Sequence, residues 1–201
     1  MIDTKTILRE WERQLFRNEK FKDLYCIYSK LKNIKDDDIP NFVTRKVNFN
    51  ALIKSLNIIS FEGLPGTGKT TLCKYVSQKN KAVYIPEISQ ETLVHSTPLL
   101  LQLLQLGELP PYFESFLISL DYLNRINEYN LLYKPKLMVI DTYLMPIYLW
   151  QAKRVLDSKK NSKEIKATEI YDSLRKIIDR VAPIPSLIIY LDPKHIEIAK
   201  E

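Results

Sequence analysis

Residues 61–72 read "FEGLPGTGKTTL" and carry the most specific motif of the sequence. Within it, residues 63–70 match the whole pattern G-x-x-x-x-G-K-[S/T] of a phosphate-binding loop. The apolar and β-branched segment before it, "LNIISFEG" (56–63), predicts a buried strand, and "KTTLCKYVSQKN" (69–80) predicts a helix after it. Because such a loop works only between a strand and a helix, the context favours a phosphate site over a glycine-rich turn that merely links two elements.

Each residue type in the loop has a chemical task. Glycines let successive backbone N–H groups turn inward around phosphate oxygens, and the N-terminus of the following helix adds its dipole. Lys69 reaches the β- and γ-phosphates of ATP, and the Thr70 hydroxyl binds Mg²⁺. The predicted nucleotide-binding residues are Gly63, Pro65, Gly66, Thr67, Gly68, Lys69, Thr70 and Thr71. The motif alone does not separate kinases from motors, GTPases or regulatory ATPases.

The rest of the chain alternates strands with helices. Further strands are predicted at 81–87, 135–141 and 185–192, and helices at 97–106, 112–129, 143–156, 164–181 and from Pro193 onward. Thr97 reads as the N-cap of the first of these, with Pro98 at its first helical position. Alternation predicts parallel strands joined by helical crossovers, so the expected fold is α/β, a three-layer P-loop sandwich with a mainly parallel sheet.

The N-terminal part reads differently. Apolar residues recur at helical spacing in two short segments within residues 1–35, and "KDDDIPN" (35–41) then predicts a loop. Its three acids fit a solvated turn better than a metal site. We therefore predict an N-terminal helical extension, residues 1–55, and a nucleotide-binding domain, residues 56–201.

Composition limits the partners and the compartment. With 201 residues and 45% apolar residues the chain can bury a sizeable core. The net charge of +6 suits a phosphate-bearing partner, but the basic residues are dispersed among acids, so nucleic acid is not expected. Two cysteines, Cys26 and Cys73, make no disulfide framework, which favours a reducing cytoplasm. No apolar run is long enough to predict a membrane span.

Three acids end predicted strands. Asp141 closes a strongly apolar strand, the position at which an acid holds Mg²⁺ beside a phosphate-binding loop. Glu87, after the second strand, is predicted to act as a base toward a substrate hydroxyl or as an outer Mg²⁺ ligand, against the alternative of a surface acid. Asp192 fits a helix N-cap at least as well as a site residue.

Together, "ISFEGLPGTGKTT", "YIPE", "VIDTYLMPIYLWQ" and "PSLIIYLD" resemble, in order and spacing over about residues 57–200, the thymidylate kinase and deoxynucleoside kinase group. The resemblance implies transfer of the γ-phosphoryl group of ATP to a nucleoside or a nucleoside monophosphate, with Mg²⁺. It assigns Lys69 to the transferred group, Thr70 and Asp141 to the metal, and Glu87 to the acceptor. Phosphoryl transfer of this kind depends mostly on positioning and charge stabilisation.

The resemblance also implies residues on the acceptor side. "PYFESFLISLDYLNRI" is similar to the family helix that contacts the substrate base, so Phe113 and Glu114 are expected to face the base. An amphipathic helix that places Phe113 in the core explains the same pattern equally well. Tyr143, in the segment after the third strand, is assigned to the acceptor as well.

Two departures from the family pattern bear on activity. Thr142 stands where the family has an arginine, and Arg125 or Arg154 is a candidate replacement. The family's arginine-rich lid and last strand follow the helix in which this sequence ends, and their absence predicts slow catalysis. The additional N-terminal residues are expected either to cover a sheet edge or to support a homodimer.

Two hypotheses from different classes follow. The first is an ATP-dependent nucleoside or nucleotide kinase, favoured by Glu87 and the segment around Asp141. The second is a catalytically weak P-loop protein that binds nucleotide for regulation or interaction, favoured by Thr142 and the missing lid. An AAA-type ATPase ranks last, because Thr142, not a second acid, follows Asp141.

Overall fold

The computed structural model describes residues 3–17, 21–47, 56–91, 93–143, 145–159 and 166–192. The helices are α1 (Thr4–Leu15), α2 (Lys22–Leu31), α3 (Ile39–Lys46), α4 (Lys69–Lys79), α5 (Ser96–Leu106), α6 (Pro111–Tyr133), α7 (Met145–Ser158) and α8 (Ala167–Val181). The strands are β1 (Asn57–Gly63), β2 (Val83–Ile85), β3 (Leu137–Asp141) and β4 (Leu187–Leu191). Two short 3₁₀ turns lie at Asp36–Asp38 and Ile88–Gln90.

The four strands form one parallel sheet in the order β2-β3-β1-β4. Successive side chains of a strand point to opposite faces, and the two central strands, β1 and β3, have buried residues on both faces, whereas the edge strand β4 is largely exposed. Ile58, Met138 and Ile140 join a large core, while Phe61 and Val139 pack with α4 in a smaller one. The α/β class with helices against a parallel sheet is therefore confirmed.

The N-terminal helices share the large core with the sheet. Helix α1 packs on α5 and α3 packs on α8. Trp11 and Tyr28 are fully buried there. Asp36 accepts the backbone N–H groups of Tyr112 (3.1 Å) and Phe113 (2.9 Å), which caps the start of α6. The N-terminal residues that are described thus form part of the same packed body.

Several predicted boundaries are corrected. The predicted loop at 35–41 is a 3₁₀ turn that runs directly into α3, because Pro40 is tolerated in a first helical turn and Ile39 and Val43 are buried. The predicted strand 81–87 is only Val83–Ile85. Thr97 lies inside α5 and does not cap it, because its hydroxyl donates to the buried Asp121 at 2.7 Å. The helix predicted from Pro193 falls outside the described residues.

Across the ranges that the structure describes, no helix combines the length and the apolar character needed to cross a membrane.

Candidate functional site

Parallel strands end at the same edge of a sheet, and here several of the predicted site residues lie at that edge. We call the edge where β1, β2 and β3 end the carboxyl edge. Phe61 pairs with Asp141 across β1 and β3, and Ile85 pairs with Ile140 across β2 and β3. The loop of residues 63–70, Asp141 and the segment leading to Glu87 therefore leave the sheet side by side, where open α/β sheets bind ligands.

The loop begins at a glycine that no other residue could replace without a clash. Gly63 has φ +143°, and a Cβ atom built there would lie 2.6 Å from the carbonyl oxygen of Leu191 on β4. Gly66 and Gly68 also have positive φ values, +83° and +81°, in open space. These left-handed positions turn the backbone of the loop, which is the property that phosphate cradling requires.

Lys69, the first residue of α4, folds back over the loop. Its Nζ atom donates to the carbonyl oxygen of Leu64 at 2.7 Å, and the Thr67 hydroxyl donates to the same oxygen at 2.9 Å. The ammonium group is thus already held against the loop. A phosphate group entering the loop would take over from this carbonyl as the partner of Lys69.

Asp141 is fully buried and accepts hydrogen bonds from three hydroxyl groups. Thr70 Oγ1 donates to Oδ2 at 2.6 Å, Tyr84 OH donates to Oδ2 at 3.2 Å, and Thr142 Oγ1 donates to Oδ1 at 3.3 Å. Burial, and secondarily the charge of Asp141, raise the pKa of Tyr84, so Tyr84 stays a neutral donor. The predicted pair of Thr70 and Asp141 is in contact, and Tyr84 joins it from β2.

This pair fits one kind of metal site. Within the described ranges, no group of three or more His, Cys, Asp or Glu side chains comes together to hold a metal ion. Mg²⁺ needs no such group, because it keeps several waters and uses one or two protein oxygens with the phosphates of its nucleotide. The Thr70 hydroxyl and the Asp141 carboxylate, 2.6 Å apart, are a donor set of that kind.

The segment after β3 is fixed by a carboxylate that sequence reasoning missed. Glu62, only 3% exposed, accepts the backbone N–H groups of Tyr143 (3.1 Å) and Met145 (3.3 Å). Thr142 between the strand and these amides has φ +59°. The signal for Glu62 was present in the sequence, since it is a charged residue within a buried apolar strand.

Tyr143, predicted to contact the acceptor, is fully buried. Its hydroxyl donates to the carbonyl oxygen of Pro183 at 2.7 Å, and its ring packs edge-on against Tyr122 with 4.6 Å between centroids. Burial raises the pKa of Tyr143 well above its usual range. In this structure Tyr143 anchors the segment after β3 in the core through its ring contact and its hydrogen bond.

A buried arginine contacts the backbone just after the end of β2. Arg125, on α6, is fully buried, and its Nε atom pairs with Glu91 Oε2 at 3.1 Å. Its Nη2 atom donates to the carbonyl oxygen of Pro86, the residue before Glu87. The guanidinium also lies 5.0 Å from the centre of the Tyr122 ring. Of the two candidate replacements for the missing arginine, Arg125 is therefore the one beside the Glu87 segment.

Arg154, the other candidate, is engaged elsewhere. It forms an ion pair with the fully buried Glu114 and donates to the carbonyl oxygens of Gly107 and Leu109, both at 2.9 Å. Glu114 also accepts from Gln151 Nε2 at 2.9 Å. The structure thus places Glu114, predicted to face a substrate base, in a buried polar contact between α6 and α7.

Phe113 lies at the same end of α6 as Glu114. It is 6% exposed and stacks on Tyr28 of α2, with 5.9 Å between ring centroids. Phe113 precedes Arg125 by about 18 Å along the helix axis. The described contacts of Phe113 and Glu114 therefore lie with the N-terminal helices and α7, whereas those of Lys69, Thr70 and Asp141 form one cluster at the carboxyl edge.

No family model matches the chain, and no curated protein matches its sequence.

Proposed function

We propose that this protein binds ATP with Mg²⁺ at the loop of residues 63–70 and transfers the γ-phosphoryl group to a nucleoside or a nucleoside monophosphate. One observation carries the proposal. The Thr70 hydroxyl of a complete phosphate-binding motif lies 2.6 Å from the buried carboxylate of Asp141, at the end of the neighbouring parallel strand. A loop that only linked β1 to α4 would need no acid at this point.

The loop, Lys69, Thr70 and Asp141 have separate roles in the proposed reaction. Backbone N–H groups of the loop and the N-terminus of α4 hold phosphate oxygens, and Lys69 neutralises charge on the transferred group. Thr70 and Asp141 hold the metal, which neutralises charge on the phosphate oxygens when bound. The protein's own contribution is to orient ATP and acceptor and to keep water out of the site.

The acceptor side is assigned to the end of β2. Glu87, partly buried, follows this strand and precedes the 3₁₀ turn Ile88–Gln90. We assign it to orient or deprotonate the acceptor hydroxyl. Arg125 binds the carbonyl oxygen of Pro86 beside it, and its Nη1 atom is buried without a hydrogen-bond partner among the described residues.

A second function, nucleotide binding for regulation with weak catalysis, is favoured by a specific observation. Thr142 carries no charge, and both candidate replacements are already paired with buried acids, Arg125 with Glu91 and Arg154 with Glu114. A cation committed to a buried acid is less able to stabilise charge that develops on a transferred phosphoryl group.

The two functions are separated by measuring ADP formation from ATP and Mg²⁺ with each nucleoside and nucleoside monophosphate added in turn. The kinase proposal predicts that one acceptor stimulates turnover. Binding of ATP without any acceptor-stimulated turnover would favour the regulatory function. Absence of ATP binding would overturn both.

Glu87→Gln tests the acceptor assignment within the same assay. We expect it to lower acceptor-dependent turnover by 10²-fold or more, roughly the contribution of a general base, with ATP affinity unchanged. The matched control is Glu169→Gln on the exposed first turn of α8, which should change neither quantity. An equal loss of turnover and ATP affinity in Glu87→Gln would instead make Glu87 a metal or structural residue.

A further inference from the structure

Thr142 adopts a backbone conformation that its side chain disfavours. Its φ is +59°, in the left-handed region, where a β-branched residue is a clear outlier. It is 6% exposed and directly follows the buried Asp141. Strain of this kind persists only where the surroundings enforce it, and it concentrates at functional sites.

The surroundings of Thr142 do enforce the conformation. Its N–H donates to the carbonyl oxygen of Phe61 at 3.0 Å, and its own carbonyl oxygen accepts from the Tyr122 hydroxyl at 3.3 Å. The next amide, that of Tyr143, donates to Glu62 at 3.1 Å, and the amide of Met145 donates to the same carboxylate at 3.3 Å. Hydrogen bonds therefore hold the backbone both before and after Thr142, and Glu62 binds the amides that follow it.

The enforced turn has a chemical consequence at Asp141. It brings the Thr142 hydroxyl to Oδ1 of Asp141, at 3.3 Å, while Thr70 and Tyr84 donate to Oδ2. A carboxylate that is hydrogen-bonded at both oxygens cannot rotate freely about its last bond. Oδ2 is thereby presented to Thr70.

We propose that Thr142 and Glu62 are positioning residues for the metal of the bound nucleotide, an inference that rests on the proposed Mg²⁺ site at Thr70 and Asp141. Glu62 fixes the segment after β3, the segment forces Thr142 into the left-handed conformation, and the Thr142 hydroxyl fixes the Asp141 carboxylate. Substitution of the residues that hydrogen-bond to metal ligands commonly lowers metal affinity by 10–100-fold.

Thr142→Gly tests the proposal because glycine accepts the backbone conformation but lacks the hydroxyl. The measurement is the affinity for a non-hydrolysable ATP analogue, once with Mg²⁺ and once with EDTA, beside a thermal melt. We expect the gain in affinity due to Mg²⁺ to fall by about tenfold, with the affinity in EDTA unchanged. The melting temperature should stay within about 3 °C of that of the native chain, because relief of backbone strain offsets the lost contacts.

Two control variants isolate the hydroxyl. Thr142→Ser keeps Oγ1 and should keep the Mg²⁺-dependent gain. Lys134→Gly places glycine at another left-handed position, φ +45°, at the exposed C-cap of α6, and should leave nucleotide affinity unchanged under both conditions.

The Glu62 half of the proposal has its own variant. Glu62→Gln loses one of the two carboxylate acceptors of the segment amides, so it should lower both the melting temperature and the Mg²⁺-dependent gain while the affinity in EDTA persists.

Each contrary result has a distinct meaning. A native chain whose affinity does not rise with Mg²⁺ would overturn the proposed metal site and this inference with it. A native gain that Thr142→Gly retains, or that Thr142→Ser loses, would overturn this inference alone. A large fall in the melting temperature of Thr142→Gly would overturn the argument from strain, and a Glu62→Gln variant that keeps the full gain would remove Glu62 from the proposal.

Discussion

Replacing Gly63 with alanine is the sharpest structural perturbation of the loop. The added Cβ would lie 2.6 Å from the carbonyl oxygen of Leu191 and 3.3 Å from the Thr67 hydroxyl, at a φ of +143°. Atoms of these kinds are not found closer than 3.0 Å to a Cβ. The obstacle is backbone of β4, which pairs with β1 through the register Gly63 with Leu191, so it cannot rotate away.

Two costs combine in Gly63→Ala. Backbone strain at such a φ costs about 1–3 kcal/mol, and forcing a packed neighbour to move costs about 1–3 kcal/mol. Together they lower the free energy of unfolding by about 4 kcal/mol. For a chain of this size about 1 kcal/mol shifts the melting temperature by roughly 2–4 °C, so the expected fall is about 8–16 °C.

Thermal melts monitored by circular dichroism measure this fall, with Gly107→Ala as the control. Gly107 also has a positive φ, +66°, but no atom lies within 4 Å of its added Cβ, so only strain of about 1–2 kcal/mol applies. The melting temperature of Gly63→Ala should therefore fall clearly further than that of Gly107→Ala. Equal falls in the two variants would refute the close approach of the loop to β4.

The remaining predictions concern buried charges and thiols. Arg125→Met should lower the free energy of unfolding by about 3–5 kcal/mol, because it leaves the buried Glu91 without its cation; a change under about 1 kcal/mol in urea titrations would contradict the pair. Burial raises the pKa of Asp121, so the folded protein binds more protons at this carboxyl than the unfolded chain does. The contribution of Asp121 to the free energy of unfolding is therefore full below about pH 4 and falls as the pH rises. The stability of Asp121→Asn relative to the native chain should therefore increase between pH 4 and 7, and a difference that does not depend on pH would contradict this. Burial raises the pKa of Cys73 to about 12, so an alkylating reagent at pH 8 should modify exposed Cys26 in the folded chain and spare Cys73; rapid modification of both would show that Cys73 is accessible.

The parts of the site that the sequence predicts are those encoded by consecutive residues. The loop motif and its flanking strand and helix lie within residues 56–80, and the apolar run ending at Asp141 marks its own strand. Once strands are parallel, their ends must share an edge, so the contact of Thr70 with Asp141 follows.

The parts that the sequence does not predict depend on contacts between distant segments. Tyr84 reaches Asp141 only because β2 pairs with β3, and the residues of β2, "VYI", do not indicate which strand they pair with. The amides that follow the left-handed Thr142 donate to Glu62, 80 residues before Thr142 in the chain. Thr97 followed by Pro98 predicts a helix cap, but its hydrogen-bond partner, Asp121, lies on another helix. Local propensity is a weak guide wherever tertiary contacts of this kind decide the outcome.

The N-terminal helices make the same point for the fold. Their apolar spacing predicts helices correctly, but an amphipathic face does not identify the surface that covers it. In the structure, Trp11 of α1 is buried in the same core as residues of the sheet, and Asp36 caps the start of α6. The segment that the sequence predicts as an N-terminal extension is packed against the domain.

The most direct test of nucleotide binding at residues 63–70 is titration calorimetry with a non-hydrolysable ATP analogue and Mg²⁺ on the native chain, Lys69→Ala and Lys79→Ala. Lys79 is an exposed residue at the other end of α4 and serves as the charge-matched control. The native chain and Lys79→Ala should bind alike, and Lys69→Ala should lose about tenfold or more in affinity, because the loop would lose the cation proposed to bind the phosphates. Equal affinities in all three proteins, or no binding by the native chain, would contradict it.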